Sequence, residues 1–188
     1  MMQTRASNAD FVCRDAADAK RIEGYFAVFG SNYEMFPGAT ESIDPHAFDE
    51  TIGDDIRCLI EHDSRLVLGR STAGTLQLRI DEKGLWGSVL INEHDQDAMN
   101  LYARVMRGDV SQCSIGFNIL DEDETIKPDG TVHWTLRRVQ LFDVSCVTFP
   151  AYKETGISAR MADYKAAKKR QLDAEKARLR ERVKEAWH

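Results

Sequence analysis

The sequence is dominated by short segments with the two-residue period that is typical of β-strands. In residues 110–120, Cys113, Ile115 and Phe117 fall on one face, while Ser114 and Gly116 fall on the other. Further segments rich in apolar, aromatic and β-branched residues have the length of strands and end at turn residues. They are residues 21–29, 56–62, 75–80, 84–91 and 134–149.

One helix is predicted inside this β-rich region, over residues 95–107. Its apolar residues follow the i, i+3, i+4, i+7 spacing of one helix face: Ala98, Leu101, Tyr102 and Val105. Asp95 is a suitable N-cap and Gly108 a natural C-terminal stop. The fold class predicted is therefore mainly β with helices, α+β, and we expect the strands to form a barrel or a rolled sheet.

Three parts are predicted along the chain. Residues 1–20 show no clear period and are expected to form a flexible leader, and residues 21–158 form the main domain. Residues 159–188 are predicted to be a charged C-terminal helix, and residues 160–188 carry ten Lys or Arg against five Asp or Glu, although the whole chain has a net charge of -6. The thin apolar stripe of this helix cannot stabilise it alone. The sequence leaves two functions open for this helix. It could dock on a partner protein, or it could be solvated or associate with a second copy of itself.

Composition argues against several classes of protein. No apolar run approaches the roughly 20 residues of a membrane helix, and the N-terminus lacks the apolar core of a signal peptide. The cysteines lack the spacing of a zinc site, so we expect buried reduced thiols, no metal and no cofactor. The basic helix has no interleaved aromatic residues, so nucleic acid is not an expected partner. The cysteines are Cys13, Cys58, Cys113 and Cys146.

Ser114 is the first candidate for a catalytic nucleophile, although a serine on a strand is usually inert. Gly116 beside it would allow a substrate backbone to approach closely. The surrounding residues do not form the G-x-S-x-G elbow of the α/β-hydrolases, because position 112 is Gln112. Ser145 and Ser111 are fallback nucleophiles.

His62 and Asp143 are the candidates for the groups that would activate this serine. His62 ends an apolar strand and would serve as general base within about 3 Å of the hydroxyl. Asp143 lies in an apolar run, where a carboxylate needs a partner, and a histidine N–H is suitable. The alternatives are a core histidine for His62, and His94 as the orienting group. Asp143 has the alternative of a salt bridge to Arg70, Arg137 or Arg138.

Several short segments occur in a fixed order between residues 21 and 151. They are GYFAVF at 24–29, ESIDPHAF at 41–48, LIEHD at 59–63, LGR at 68–70, GLWG at 84–87, SIGF at 114–117, DVS at 143–145 and PA at 150–151. In this order they resemble the prohead maturation serine proteases of tailed bacteriophages. That family is similar in fold to the herpesvirus assemblins, so the resemblance implies an assemblin-like β-barrel.

The resemblance assigns a role to each candidate residue. Ser114 matches the nucleophile, His62 the histidine base, and Asp143 the orienting acid, where glutamate is commoner in the family. His46 stands where the family tends to have glycine. The implied mechanism is acyl transfer through a covalent acyl-enzyme, with Arg70 as a helper of the oxyanion hole.

The same resemblance implies a setting for the reaction. The expected substrates are the scaffolding segment of the major capsid protein, other internal procapsid proteins and the protease itself, with residues 159–163 as an exposed self-cleavage site. The expected location is the interior of the procapsid in the host cytoplasm, without a membrane, and a homo-oligomer is left open. The alternative is a non-catalytic capsid-assembly or scaffold-binding module with the same fold.

Overall fold

The structure is a computed structural model that describes residues 3–8, 11–16, 19–149 and 154–186. The described residues form a mainly β fold with two α-helices, which confirms the predicted α+β class. The strands are β1 (Gln3–Asn8), β2 (Val12–Ala16), β3 (Ala19–Val28), β4 (Tyr33–Phe36), β5 (Ala39–Ile43), β6 (Arg57–Ile60), β7 (Asp63–Arg70), β8 (Leu76–Ile80), β9 (Gly84–Leu90), β10 (Gln112–Ile126) and β11 (Val132–Val147). The helices are α1 (Gln96–Arg107), α2 (Glu154–Ala186) and a 3₁₀ turn at Ser71–Ala73.

The strands are arranged in two sheets. The first has the order β1-β10-β11-β5-β4, and β6 pairs with β11 and with β7. The second has the order β2-β3-β9-β8. Among the described strands no pairing closes a ring, so the predicted barrel is not found. The two sheets instead pack face to face around one apolar core. Their described edge strands are not paired with each other.

Strand β11 is the centre of the first sheet because it has three partners. It pairs antiparallel with β10 along most of its length. On its other side it pairs parallel with β5 through residues 132–136 and with β6 through residues 143–146. The end of β6 is thereby held beside the segment of β11 that contains Asp143.

Helix α1 has the bounds and the buried face that the sequence predicts. The Asp95 carboxylate accepts hydrogen bonds from the backbone N–H groups of Asp97 and Ala98, and Gly108 ends the helix with a φ of 87°. Its buried residues are Ala98, Leu101, Tyr102 and Val105. Local capping and periodicity were sufficient to predict this element.

The N-terminal residues are not a flexible leader where the structure describes them. Strand β1 pairs antiparallel with β10, and β2 pairs antiparallel with β3. Strand β1 has no alternation of apolar and polar residues that would predict a strand, because most of its residues are polar. The strand is held instead by its backbone pairing and by Arg5, which is 6% exposed and ion-paired with the buried Glu41.

Helix α2 begins at Glu154, upstream of the predicted start at residue 159, and its residues Arg160, Ala167 and Arg170 contact the first sheet. Within the predicted self-cleavage region, Arg160 is 2% exposed and forms ion pairs with Glu41 and Glu122, whereas Ala162 and Asp163 are exposed. Ala167 is also buried. The distal half leaves Leu172, Leu179 and Val183 exposed. None of the described helices combines the length and apolar character needed to cross a membrane.

Candidate active site

The pairing of β10 with β11 brings four site residues onto one face of the first sheet. Ser114 lies opposite Ser145, and Gly116 lies opposite Asp143. Residues that face each other in antiparallel strands project to the same side, as do residues two positions apart in one strand. The register therefore places Ser114, Gly116, Asp143 and Ser145 together.

His62 reaches this face from a tight turn and not from a strand. Strand β6 ends at Ile60, and β7 begins at Asp63. Glu61 and His62 between them have φ values of 54° and 57°. Two residues with positive φ are what a type I′ hairpin turn requires, and glycine or asparagine usually occupies such positions. The alternation in the sequence predicted a strand that extends to His62, two residues beyond its observed end at Ile60.

The turn that carries His62 is fastened to β11 by the residue before it. The Glu61 backbone N–H donates to the Cys146 carbonyl at 3.0 Å. The Glu61 carboxylate accepts a hydrogen bond from the Thr148 backbone N–H at 2.5 Å. These contacts tie the left-handed backbone of Glu61 and His62 to the strand that contains Asp143, so the imidazole is held in place.

The three predicted groups form one hydrogen-bonded chain. His62 Nε2 lies 2.7 Å from Ser114 Oγ, and His62 Nδ1 lies 2.6 Å from Asp143 Oδ1. The side chains of His62 and Asp143 are 4% and 6% exposed, and Ser114 is fully buried. An imidazole between a hydroxyl and a carboxylate has the geometry of a general base whose tautomer is fixed by the acid.

Ser145 and Gly116 hold the carboxylate of Asp143. The Ser145 hydroxyl donates to Asp143 Oδ1 at 2.7 Å and lies 3.2 Å from His62 Nδ1. A Cβ on Gly116 would lie 2.0 Å from Asp143 Oδ2. Gly116 was predicted to admit a substrate backbone, but its open space is filled by the Asp143 carboxylate. Ser145 binds the acid and does not take the place of the nucleophile.

The arginines considered as partners for Asp143 bind other carboxylates in the described contacts. Arg70 donates to Asp55 at 2.6 Å, Arg137 to Asp123 at 2.6 Å, and Arg138 to Glu50 at 3.3 Å. The hydrogen bond from Arg70 lowers the pKa of Asp55 and in return raises the pKa of Arg70. Arg70 is engaged there, and none of its described contacts is with Ser114.

His94 is exposed in the loop before α1, and its backbone N–H donates to Asn92. The group that touches His62 Nδ1 is Asp143, so His94 is not in the orienting position. Among the described residues no cluster of three or more histidine, cysteine or acidic side chains has the arrangement of a metal site. Cys58, Cys113 and Cys146 are buried free thiols.

Known proteins are similar to this chain in sequence and in fold. A family described as the caudovirus prohead serine protease matches residues 7–170. The chain belongs to this family. The prohead protease of Enterobacteria phage HK97 is 27% identical over 138 residues, which cover 73% of this chain and 59% of that protein. The chain therefore spans less than two thirds of the length of this family member.

A solved structure gives independent support for the fold. The capsid assembly protease of bacteriophage T4 superposes with a TM-score of 0.56 at 11% identity, covering 79% of this chain and 98% of that chain. At this identity the similarity concerns the fold alone. The resemblance to prohead proteases is thus confirmed. One of the segments that suggested it, at residues 150–151, lies outside the described residues.

Proposed function

We propose that this chain is a serine endopeptidase of procapsid maturation, with Ser114 as nucleophile, His62 as general base and Asp143 as orienting acid. The observation that carries the proposal is the continuous hydrogen-bonded chain from Ser114 Oγ through both nitrogens of His62 to Asp143 Oδ1. Membership of a prohead protease family supports it independently.

The reaction that fits these groups is acyl transfer in two halves. His62 Nε2 accepts the Ser114 proton as Oγ attacks the scissile carbonyl carbon, and the resulting imidazolium gives that proton to the leaving amine. Water then attacks the acyl-enzyme by the same route and releases the new carboxylate. Asp143 accepts the Nδ1–H bond throughout, which fixes the tautomer and stabilises the positive charge without taking the proton.

The substrates and partners follow from the family and are part of the proposal. We infer that the chain cleaves the scaffolding segment of the major capsid protein, other internal procapsid proteins and itself, inside the procapsid. The names of the two similar proteins, a prohead protease and a capsid assembly protease, support this setting. Self-association of the chain and an assemblin-like fold stay predictions.

Co-expression with the capsid precursor and its scaffold tests the assignment. We expect Ser114→Ala to leave the precursors uncut. Ser111→Ala is the matched control, because Ser111 is exposed and three residues away along the chain, and we expect it to process normally. Normal processing by Ser114→Ala would refute Ser114 as the nucleophile.

A serine-directed fluorophosphonate separates the protease from the non-catalytic alternative. An activated serine should label covalently, and the label should be absent from Ser114→Ala. A non-catalytic assembly module would bind the capsid subunit and never label. Labelling that depends on Ser114 would therefore exclude the module.

A further inference from the structure

Strand β1 lies directly over the proposed nucleophile. It runs antiparallel along the outer edge of β10, with Ala6 opposite Ser114. Ser114 Oγ is 3.0 Å from the backbone carbonyl oxygen of Arg5 and is fully buried. The chain's own N-terminal segment therefore covers the serine with an extended backbone, which is the form in which proteases commonly bind peptides.

The contact with Arg5 also competes for the proton that catalysis needs. A serine hydroxyl has one proton to donate. Ser114 Oγ has two acceptors within hydrogen-bonding distance, His62 Nε2 at 2.7 Å and the Arg5 carbonyl at 3.0 Å. Whenever the proton is directed at the Arg5 carbonyl, His62 does not receive it, and Ser114 is not activated.

The position of β1 is also the position that an incoming peptide strand needs. Strand β10 pairs with β11 on one side, from Gln112 onwards, and with β1 on the other. A peptide that approaches Ser114 as an added strand must use the edge over residues 112–117, which β1 occupies. Substrate binding at that edge and pairing of β1 are thus mutually exclusive.

A buried ion pair anchors β1 to the body of the protein. Arg5 binds Glu41 through Nε and through Nη2, the latter at 2.9 Å. Arg160 of α2 binds the same Glu41 carboxylate at 2.8 Å and Glu122 at 2.6 Å. Two cations balance two carboxylates in this network. Removing Arg5 leaves a buried carboxylate short of one cation, which is unfavourable unless another positive group enters.

We propose that β1 is a built-in pseudosubstrate that holds the protease inactive, and that Glu41 selects a basic side chain in the peptide that displaces it. This inference rests on the proposed function of Ser114. The expected substrate is an extended peptide with Arg or Lys at the position that corresponds to Arg5, one residue before the residue opposite Ser114.

The test compares two arginine variants of the full chain. Arg5→Ala removes the buried anchor. Arg14→Ala is the matched control. Arg14 lies in β2, the next strand along the chain, which belongs to the second sheet, and it makes an exposed ion pair with Glu23. Two quantities are measured: the rate of fluorophosphonate labelling of Ser114, and amide hydrogen exchange in residues 112–117. We expect Arg5→Ala to raise both by about tenfold or more, because loss of a buried charged partner weakens β1 strongly. Arg14→Ala should change neither.

A synthetic peptide tests the selection by Glu41. The peptide QTRASN, with the sequence of residues 3–8, is added to the Arg5→Ala chain during labelling. We expect it to slow the labelling, and the same peptide with alanine in place of arginine to require about tenfold more for the same effect. Equal potency of the two peptides would overturn the selection by Glu41.

The outcomes separate this inference from the proposed function. If wild-type and Arg5→Ala chains label Ser114 at the same rate, the catalytic assignment stands and β1 is not inhibitory. If exchange in residues 112–117 rises and no variant labels, the catalytic assignment fails, and the pseudosubstrate fails with it. If Arg5→Ala does not unfold cooperatively, Arg5→Gln takes its place, because glutamine keeps a donor for Glu41 without the charge. The rate of Ser114 labelling in Arg5→Gln is then compared with the wild-type rate, and equal rates would refute inhibition by β1.

Discussion

Gly116 offers a direct way to perturb the proposed catalytic acid without touching it. An added Cβ at this position would lie 2.0 Å from Asp143 Oδ2 and 3.0 Å from Asp143 Cγ. Favourable contacts between heavy atoms lie near 3.5 Å, so the carboxylate must shift by roughly 1 Å or more in Gly116→Ala. Such a shift exceeds the range of about 0.5 Å over which hydrogen-bond lengths vary. It would therefore lengthen or misalign the 2.6 Å hydrogen bond from His62 Nδ1 to Asp143 Oδ1.

The expected loss of activity follows from the loss of this hydrogen bond. A misplacement of about 1 Å in a catalytic group costs on the order of 10²-fold in rate, and loss of the orienting acid in a serine triad costs about 10⁴-fold. We therefore expect Gly116→Ala to lower the second-order rate of fluorophosphonate labelling by between about 10² and 10⁴-fold. The φ of Gly116 is outside the left-handed region, so the backbone accepts alanine.

The control for this experiment is another glycine-to-alanine change. A Cβ on Gly53 has no heavy atom within 4 Å, and its φ is also outside the left-handed region, so Gly53→Ala should label like the wild type. Thermal unfolding of both variants separates a local effect from loss of the fold. A Gly116→Ala chain that remains folded and labels at the wild-type rate would refute the role of the Asp143 position.

Three further predictions concern groups around the site and the docked helix. Ser145→Ala removes a hydroxyl that donates to the buried Asp143, and we expect labelling to slow by about tenfold and the free energy of unfolding to fall by about 1 kcal/mol; complete loss of labelling by a folded chain would contradict this supporting role. Arg160→Ala leaves a buried carboxylate short of a cation, so urea unfolding should give a free energy of unfolding lower by about 3 kcal/mol, whereas Arg170→Ala at an exposed pair should change it by less than about 1 kcal/mol. Burial lowers the pKa of His133 below its ordinary 6.5. The unfolded chain therefore takes up a proton first as the pH falls below about 6.5, and stability is lost from there down to the folded-state pKa. Thermal unfolding between pH 7.5 and 5 should show a smaller acid loss for His133→Gln, and equal losses would contradict the assignment.

Elements governed by local rules were the ones predictable from the sequence. Helix α1 has its N-cap at Asp95 and its stop at Gly108, and both act within one turn of the helix. The alternation in β10 likewise follows from a strand that separates an apolar core face from the face of Ser114. Such signals need no knowledge of distant partners.

Elements governed by distant partners were not predictable. Strand β1 consists mostly of polar residues, and its pairing partner β10 is more than one hundred positions away along the chain. Its stability depends on the ion pair of Arg5 with Glu41, which no local pattern reveals. The predicted barrel was also wrong, because alternation identifies which face of a strand is buried and does not identify which edges join.

The sequence indicated the types of residue in the candidate site, but it did not indicate their geometry. The spacing of His62 and Ser114 along the chain does not predict their contact, because that contact depends on the β10–β11 register and on the turn after β6. Gly116 was a signal in the sequence, but it was assigned the wrong neighbouring group. A glycine within a strand often marks a close approach by another group. At Gly116 that group is the carboxylate of Asp143 and not a substrate.

The surroundings of Asp143 explain how an aspartate can orient His62 without the help of an arginine. Its Oδ1 accepts from Ser145 and lies 2.6 Å from His62 Nδ1, while its Oδ2 occupies the space left by Gly116. These restraints hold the carboxylate in one orientation, and none of its described contacts is with an arginine or a lysine. An arginine in contact with it would compensate its charge and weaken its attraction for the imidazolium of the proposed acyl transfer. Because Arg70 binds Asp55 instead, the negative charge of Asp143 remains available to His62.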